Sequence, residues 1–405
     1  MVVSRLVRKF YHFFKAVLAV VYYRFPSRKL ILIGVTGTDG KTTTVSMIYE
    51  ILQAAGKRVA KISTVSADIN GQELDTGFHT TTPGPFLIQK FLRQMVDSGI
   101  EYAVLEVSSH ALDQFRVWGC HFAVGVLTNI TPEHLDYHQT MEEYRNSKAK
   151  LFSASDVLIL NSQDKSFPIL VNTYKGVKKI ISYPIKKLGK KLQIIMSGKF
   201  PEPYNYLNAQ AAVMATGVLE ISEEIIVRAL KDFNHVSGRL EKIKNSKGLN
   251  IIVDFAHTPN ALRNVLKALR PKNKNKLICV FGCAGERDKS KRFEMGKIAA
   301  KYAEVCVITA EDPRSEDVNR IIEEISLGAV GGGGKKGVSF FQIPQRGRAI
   351  YQAINVLAVK GDAVVICGKG HEKSMAYGSI EYPWSDQRAV QMALSDRVMK
   401  IRIRH

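Results

Sequence analysis

The chain is short of acid. Its 405 residues carry 37 Asp and Glu against 58 Lys and Arg, a formal net charge of +21. Two stretches hold no acid at all: residues 1–30, with seven Lys and Arg, and Lys175–Lys199, with eight lysines. Cysteine is scarce too, at 120, 279, 283, 306 and 367, each in or beside an apolar run. Cys279 and Cys283 have no second pair or histidine at zinc spacing, so reduced, buried thiols in a reducing cytoplasm are expected. No long hydrophobic run occupies the N-terminus. Within Val2–Phe25 the longest uncharged stretch is the eight residues Ala16–Tyr23, against about 20 for a bilayer span. No small-residue cleavage site follows, which argues against a secretory signal. Only 13 prolines and 45% hydrophobic residues describe a folded chain with length for two or three cores.

An excess of base asks for an anionic partner. Neither basic stretch carries a nucleic-acid fold signature, and no nucleic acid is expected. Phosphorylated substrates beside an anionic membrane account for the charge equally well. The mixture of aromatics, aliphatics and cations in residues 2–25 suits a helix lying in the membrane interface. It suits as well a helix packed on the body of the protein or on a partner. Pro26 is expected to end it.

What is present begins with Gly34-Val-Thr-Gly-Thr-Asp-Gly-Lys-Thr-Thr-Thr44. An apolar run, Leu30–Ile33, precedes it, and Val45, Ile48, Ile51 and Leu52 follow at helical spacing. Strand, glycine loop and helix together hold a nucleotide's phosphates. Gly37 and Gly40 let the loop bend so that backbone N–H groups point inward, Lys41 reaches the β- and γ-phosphates, Thr42 joins a Mg²⁺ shell, and Thr38 and Thr43 complete the ATP-binding set. The expected ligand is ATP. The general phosphate-loop pattern places a further glycine where Val35 stands. Thr-Gly-Thr-x-Gly-Lys-Thr-Thr instead resembles the loop of the Mur ligases and their folylpolyglutamate synthetase relatives, which use ATP to join a carboxylate to an amine. Asp39 fills the place of the usual Asn.

From Leu30 onward apolar strands alternate with amphipathic helices. Strands are expected at 57–62, 102–106, 122–128, 157–160, 251–255, 277–281, 305–308 and 363–367. Helices are expected at 86–98, 141–152, 207–219, 259–269, 292–302, 316–327 and 346–359. Gly331–Gly334 are expected to form a surface loop. Such alternation predicts an α/β fold with mostly parallel, doubly wound sheets whose ligands gather at the carboxyl ends of strands. A boundary is expected near Val236–Gly238. The expected domains are therefore residues 1–28, a basic aromatic helix; 29–236, an ATP-binding domain; and 237–405, a second α/β domain.

Glu106 ends a buried strand, His134 follows the next one, and Lys148 lies on a helix beyond. Singly these read as a salt-bridged acid, a capping histidine and a solvated lysine. Their order behind the loop extends the resemblance to the Mur ligases, in the branch that adds the third amino acid of the peptidoglycan stem. The motifs are long: Thr81-Thr-Pro83, Glu106–Val117, Glu133–His138, Val253–Leu262, Val280–Arg292 and Gly368–Glu372. That resemblance implies a central ATPase domain and a Rossmann-like C-terminal domain. It assigns Thr42 and Glu106 to one Mg²⁺, and Glu106, His134 and a carbamylated lysine, in the place of Lys148, to a second. A carbamate turns a cation into an anionic oxygen ligand of the kind Mg²⁺ prefers. Lys41, Lys148, His134 and Glu106 become the catalytic set.

By the same resemblance Asn205 and Asn208 lie near the adenine, though both could simply cap a helix. Arg239 reaches the nucleotide from the C-terminal domain, Asp254 takes the ribose hydroxyls and His257 lies nearby, so closure over ATP is expected. Thr81, Thr82, Ser108, Gln114 and Arg116 hold the muramoyl-peptide acceptor. Glu311-Asp-Pro-Arg314 stands where Asp-Asn-Pro-Arg marks enzymes for meso-diaminopimelate. Arg314 favours a carboxylate-bearing substrate, whereas the added acids Glu311 and Asp312 favour the amine of lysine. Gly368 and Glu372 contact the amino acid's zwitterionic end. The implied reaction is stepwise: the acceptor carboxylate attacks the γ-phosphate, and the amine then displaces phosphate from the acyl phosphate.

Two departures are Glu133, where the family has Asp, and Ala149-Lys150, where an apolar pair is usual. The family also begins with a UDP-gripping domain of about a hundred residues, while about thirty residues precede the loop here. Either UDP is held otherwise, or the acceptor is lipid-linked and the N-terminus brings the enzyme to the membrane. The expected location is cytoplasmic or peripheral at the inner membrane face, as a monomer. The alternatives are a ligase on another acceptor, such as a folylpolyglutamate synthetase-like ligase, a lipid II amidating subunit or a non-catalytic ATP-binding scaffold.

Overall fold

The computed structural model describes residues 2–74, 81–185, 188–234, 236–271 and 274–401, so Lys186 and Lys187 of the second basic stretch lie outside it. The chain divides into two compact units, Met1–Asn234 and His235–His405.

The first unit opens with helix α1, Val2–Tyr22. It stops four residues before Pro26, earlier than expected. Arg24 and Phe25 adopt φ of 58° and 52°, left-handed values through which an α-helix cannot run. Pro26 instead starts a short 3-10 turn, Pro26–Lys29.

Eight strands follow: β1 (Ile31–Thr36), β2 (Val59–Ile62), β3 (Ala67–Ile69), β4 (Gln72–Leu74), β5 (Tyr102–Glu106), β6 (Phe122–Leu127), β7 (Ser155–Asn161) and β8 (Lys179–Tyr183). Their order is β4-β3-β2-β5-β1-β6-β7-β8. All pairings are parallel except those of β3 with β2 and β4. The central strands are continuous apolar runs because helices cover both faces. Leu105, Phe122, Leu151, Phe152 and Leu158 are all buried to within about a percent, each worth roughly 1.5–3 kcal/mol of transfer free energy. From β1 the chain builds the sheet toward β2 and β5, then crosses to β6. The carboxyl ends of β1, β5 and β6 thus meet at the switch point where α/β ligands bind. Register places Glu106 beside Val35 there.

Four of the helices serving that edge are α2 (Lys41–Ala54), α3 (Pro85–Asp97), α4 (Ser109–Asp113) and α5 (Leu135–His138). A fifth, α6, covers Met141–Ser153 and buries Tyr144, Ser147, Lys148, Leu151 and Phe152. That is the i, i+3, i+4, i+7, i+8 stripe of a core-facing helix. The helix expected from 207 begins at Pro203, where proline's missing N–H costs nothing. Asn205 and Asn208 therefore lie inside it, and the capping reading falls.

In the second unit six strands, β9 (Glu241–Ile243), β10 (Asn250–Asp254), β11 (Leu277–Phe281), β12 (Val305–Ile308), β13 (Phe340–Gln342) and β14 (Ala363–Cys367), take the order β13-β12-β11-β14-β10-β9. Only β9 runs antiparallel. A hairpin of β15 (Ser374–Tyr377) and β16 (Ile380–Pro383) follows. The helix expected over 316–327 spans Val318–Gly331 and takes in the first of the four glycines. Burial of Ile321, Ile322, Ile325 and Ala329 outweighs glycine's poor helix propensity. Arg346 and Asp386 form a fully buried ion pair at 2.7 Å, with Trp384 Nε1–H also donating to Asp386. The five cysteines are free and buried.

Candidate active site

The loop between β1 and α2 wraps the carboxyl end of β1. Gly40 has φ 82°, and a Cβ there would stand 2.2 Å from Asn208 Oδ1, so only glycine permits this turn and this approach. At Gly37 a Cβ would meet Thr128 Oγ1 at 1.8 Å. The residues after β6 hold the loop from the other side. Asn129 accepts from Asp39 N–H at 2.9 Å and donates to the Asp39 carbonyl at 3.0 Å. Thr128 Oγ1 also donates to that carbonyl, and Thr38 N–H donates to Asn129 O. The departure Asp39 therefore keeps its backbone clamped. Thr128 and Asn129 were not singled out by sequence; their place directly after a buried strand, opposite a glycine loop, was the available signal.

Lys41 Nζ donates to the carbonyls of Gly37 and Thr38, at 3.0 and 2.8 Å. Lys148 Nζ donates to the same Gly37 oxygen at 2.7 Å. Although a lysine, Lys148 is buried to 1% exposure and lies 4.5 Å from the centre of the Tyr144 ring. Burial, and then the charge of Lys41, pull its pKa well below the ordinary 10.5. Its amine is thus more often neutral at neutral pH than an exposed lysine's, which is the form that reacts with carbon dioxide.

Glu106 is 2% exposed. Its Oε2 accepts from Thr42 Oγ1 at 2.9 Å and from Thr64 N–H at 3.0 Å. Among the described residues no cation lies within ion-pair distance of it. A buried carboxylate held only by neutral donors, with a hydroxyl beside it, fits a hard divalent cation. His134 has φ 55° at the start of α5. Its ring lies 4.6 Å from that of His110 and 6.4 Å from that of Tyr144, and its Nε2 is 3.8 Å from Glu133. The structure therefore brings Thr42 to Glu106, and it sets Lys148 and His134 about the shared ring of Tyr144. Among the described residues no three His, Cys, Asp or Glu side chains close into a metal-binding group. Tyr144, another residue that the motifs did not single out, also hydrogen-bonds Thr38 Oγ1 at 3.0 Å. Its place four residues before Lys148 on a helical stripe was the missed signal.

The proposed acceptor residues converge. Arg116 donates to the Thr82 carbonyl at 2.5 Å and twice to Gln114 Oε1, at 2.8 and 3.1 Å. Thr82 Oγ1 bonds the Glu106 carbonyl and Ser108. Thr81 lies beside them in sequence, half-buried. Behind this network His138 is buried against Ser109, and burial lowers its pKa to about 4, so the ring is neutral.

Asn205 and Asn208 are buried on one face of their helix and bond each other at 3.4 Å. In the second unit Arg239 lies over the Phe255 ring at 4.2 Å. Asp254 accepts from Leu240 and Ala256 N–H, and burial raises its pKa. His257 Nδ1 lies 2.9 Å from the Phe255 carbonyl, so that nitrogen carries the proton. Asp312 is bonded by the buried Lys369 ammonium at 2.8 Å and by Ala376 N–H. Lys369 also pairs with Glu372, two residues beyond Gly370. Glu311 is buried with its pKa raised by desolvation, and its Oε2 lies against Gly368. Arg314, φ 51°, donates to the Gly285 carbonyl. Of the two acids that pointed to lysine as substrate, Asp312 is thus already paired within the protein by Lys369, which it shares with Glu372, and burial pushes the Glu311 carboxyl toward its neutral form.

Two family models match: the Mur ligase middle domain over residues 35–215, and the Mur ligase, glutamate ligase domain over 238–370. A UDP-N-acetylmuramoyl-L-alanyl-D-glutamate–2,6-diaminopimelate ligase of Gloeobacter violaceus is 40% identical, over 94% of this chain and 80% of that protein. The ligase of the same name from Geobacillus kaustophilus is 37% identical, over 94% and 82%. A solved structure of such a ligase, 28% identical, aligns with a TM-score of 0.57 over 91% of this chain and 78% of that one. A folylpolyglutamate synthase/dihydrofolate synthase from Yersinia pestis, complexed with AMPPNP and Mn, shares the fold at 18% identity. Its TM-score is 0.69, over 87% of this chain and 90% of that one.

Proposed function

The chain belongs to the Mur ligase family, and from that premise we propose that it adds meso-diaminopimelate to a muramoyl-L-alanyl-D-glutamate acceptor. It is an ATP-dependent acid–amino-acid ligase of peptidoglycan precursor synthesis. The choice of diaminopimelate rests on Arg314, on the pairing of Asp312 with Lys369 and on the names of the relatives. A peripheral location at the inner face of the membrane belongs to the same reading.

The observation that carries the site assignment is the pair of lysines on one loop carbonyl, Lys41 and Lys148 on Gly37. With ATP in place Lys41 leaves that carbonyl for the phosphates. Lys148, if carbamylated, would supply anionic oxygens in place of its amine. Thr42, Glu106, His134 and carbamylated Lys148 are the residues to hold Mg²⁺, which when bound neutralises charge developing on the phosphates. Asn205 and Asn208 are the nucleotide residues proposed on the first unit, and Arg239, Asp254 and His257 those proposed on the second. Arg116, Gln114, Ser108, Thr82 and Thr81 orient the acceptor so that its carboxylate meets the γ-phosphate. The second unit supplies the amine through Asp312, Arg314, Gly368 and Glu372. Alignment and charge neutralisation do the chemistry.

A ligation assay with ATP, the UDP-linked dipeptide acceptor and either lysine or meso-diaminopimelate, read by mass spectrometry, tests this. Diaminopimelate product in large excess is expected. Equal or preferred lysine product overturns the amino-acid choice.

A further inference from the structure

Among the described side chains the N-terminal helix has two apolar faces, and one of them is packed inside the protein. Ala16, Ala19 and Val20 are buried. Phe13 packs edge-on against Phe115 and Trp118, both at 5.4 Å, and Lys9 pairs with Asp113 at 3.6 Å. Past the end of α1, Ser27 Oγ donates to the Gly119 carbonyl at 3.0 Å. This face is tied to residues 113–119, the segment that also carries Gln114 and Arg116.

The opposite face is Val7, Phe10, Tyr11, Phe14, Leu18, Val21 and Tyr22, exposed between 46% and 72%. Their spacing of three and four puts them on one stripe, about 22 Å long at the α-helical rise. The Tyr22 ring lies 6.4 Å from that of Phe86, itself 37% exposed, which extends the patch onto α3. Cations border it: Arg8 and Lys15 along one side, and exposed Arg24, Arg28 and Lys29 beyond its end. No acid occurs in residues 1–30.

We propose that this outward face of α1 docks on an anionic lipid bilayer, lying in the plane of the surface and so holding residues 113–119 near it. The inference rests on the peripheral location proposed above and names the surface responsible. Charge chooses the occupant. A stripe of aromatic and aliphatic side chains edged by cations is complementary to acyl chains beneath anionic headgroups. The same face of a second copy offers Arg8 and Lys15 no anionic complement, since residues 1–30 hold no acid. Among the described residues no helix is long and apolar enough to cross a membrane, which leaves the in-plane arrangement.

The test is co-sedimentation of the full chain with vesicles of phosphatidylcholine containing about a third phosphatidylglycerol. Phosphatidylcholine vesicles and a Phe10→Ser/Phe14→Ser/Leu18→Ser variant serve as comparisons. The wild type is expected to pellet with the anionic vesicles only, and the variant to bind at least about tenfold less. Arg8→Gln/Lys15→Gln is expected to lose about fivefold per charge at low salt. Ligation of a soluble acceptor stays unchanged in both variants, which reports intact folding and separates this result from the ligase assignment. Full pelleting of the triple variant overturns the face while leaving a peripheral location standing. A wild type that stays in the supernatant overturns both. A wild-type dimer in light scattering that the triple variant converts to monomer assigns the face to self-association and overturns the proposal.

Discussion

At Lys148 burial lowers the pKa, the charges of Glu133, Asp39 and Asp164 raise it, and burial wins. An ammonium without a carboxylate partner in the interior is costly, and the neighbouring Lys41 adds to the cost. The sign for stability follows. The folded-state pKa lies below the ordinary value, so the folded form binds fewer protons than the unfolded chain. The destabilisation is therefore absent above pH 10.5, grows as pH falls below it and is complete below the lowered pKa. Lys148→Met should raise the melting temperature by a few degrees while lowering ligase turnover roughly a thousandfold. A variant that melts lower would contradict the account of a strained buried amine. Because the neutral amine forms the carbamate, a ¹³C carbamate signal from labelled bicarbonate should appear in wild type, fade as pH falls and be absent in the variant. Sequence marked Lys148 by its motif alone. Nothing in a run of Asn146-Ser-Lys-Ala said that the lysine would be among the largest fully buried side chains, because that depends on Gly37 arriving from residue positions far away.

Among elements, the loop from β1 to α2 depends on distant partners for its shape. Gly40→Ala would force a side chain into a left-handed backbone and into Asn208 Oδ1. Affinity for a fluorescent ATP analogue is expected to fall about a hundredfold, while far-ultraviolet circular dichroism stays unchanged. Retained affinity would show that the loop relaxes freely. In the second unit, the ion pair of Arg346 and Asp386 links two helices beneath the strand ends, with Arg346 also donating to the Ala310 and Cys367 carbonyls. Asp386→Ala leaves a guanidinium buried and unpaired, and should destabilise that unit by about 3–5 kcal/mol. Hydrogen exchange at Val365 and Val307 should speed up accordingly. Unchanged protection would mean that water reaches Arg346. Strands and most helices were legible from apolar periodicity. The ends were less so: α1 stops before left-handed Arg24 and Phe25 rather than at proline, and the helix Val318–Gly331 runs into glycine because packing outweighs local propensity there.

At the scale of the molecule, the proposed function assigns different parts of the reaction to the two units, and variants should separate them. Arg314→Ala in the second unit should raise the KM for meso-diaminopimelate by on the order of thirtyfold. The KM for ATP should change little, and lysine should become no better a substrate unless Arg314 excludes it. Equal shifts in both KM values would contradict the assignment of the amino acid to that unit.

Residue order alone determined that this chain has a phosphate loop, an α/β alternation and the motifs of a Mur ligase, since those signals are local in sequence. It left open whether the N-terminal helix packs inward or faces a membrane, and whether Asp312 selects for an amine. Tertiary structure decided that α1 packs on residues 113–119 with a second apolar face exposed, and that Asp312 is occupied by Lys369. Both outcomes depend on side chains tens or hundreds of residues apart meeting in space, where burial and charge pairing, not spacing along the chain, set what each group can do.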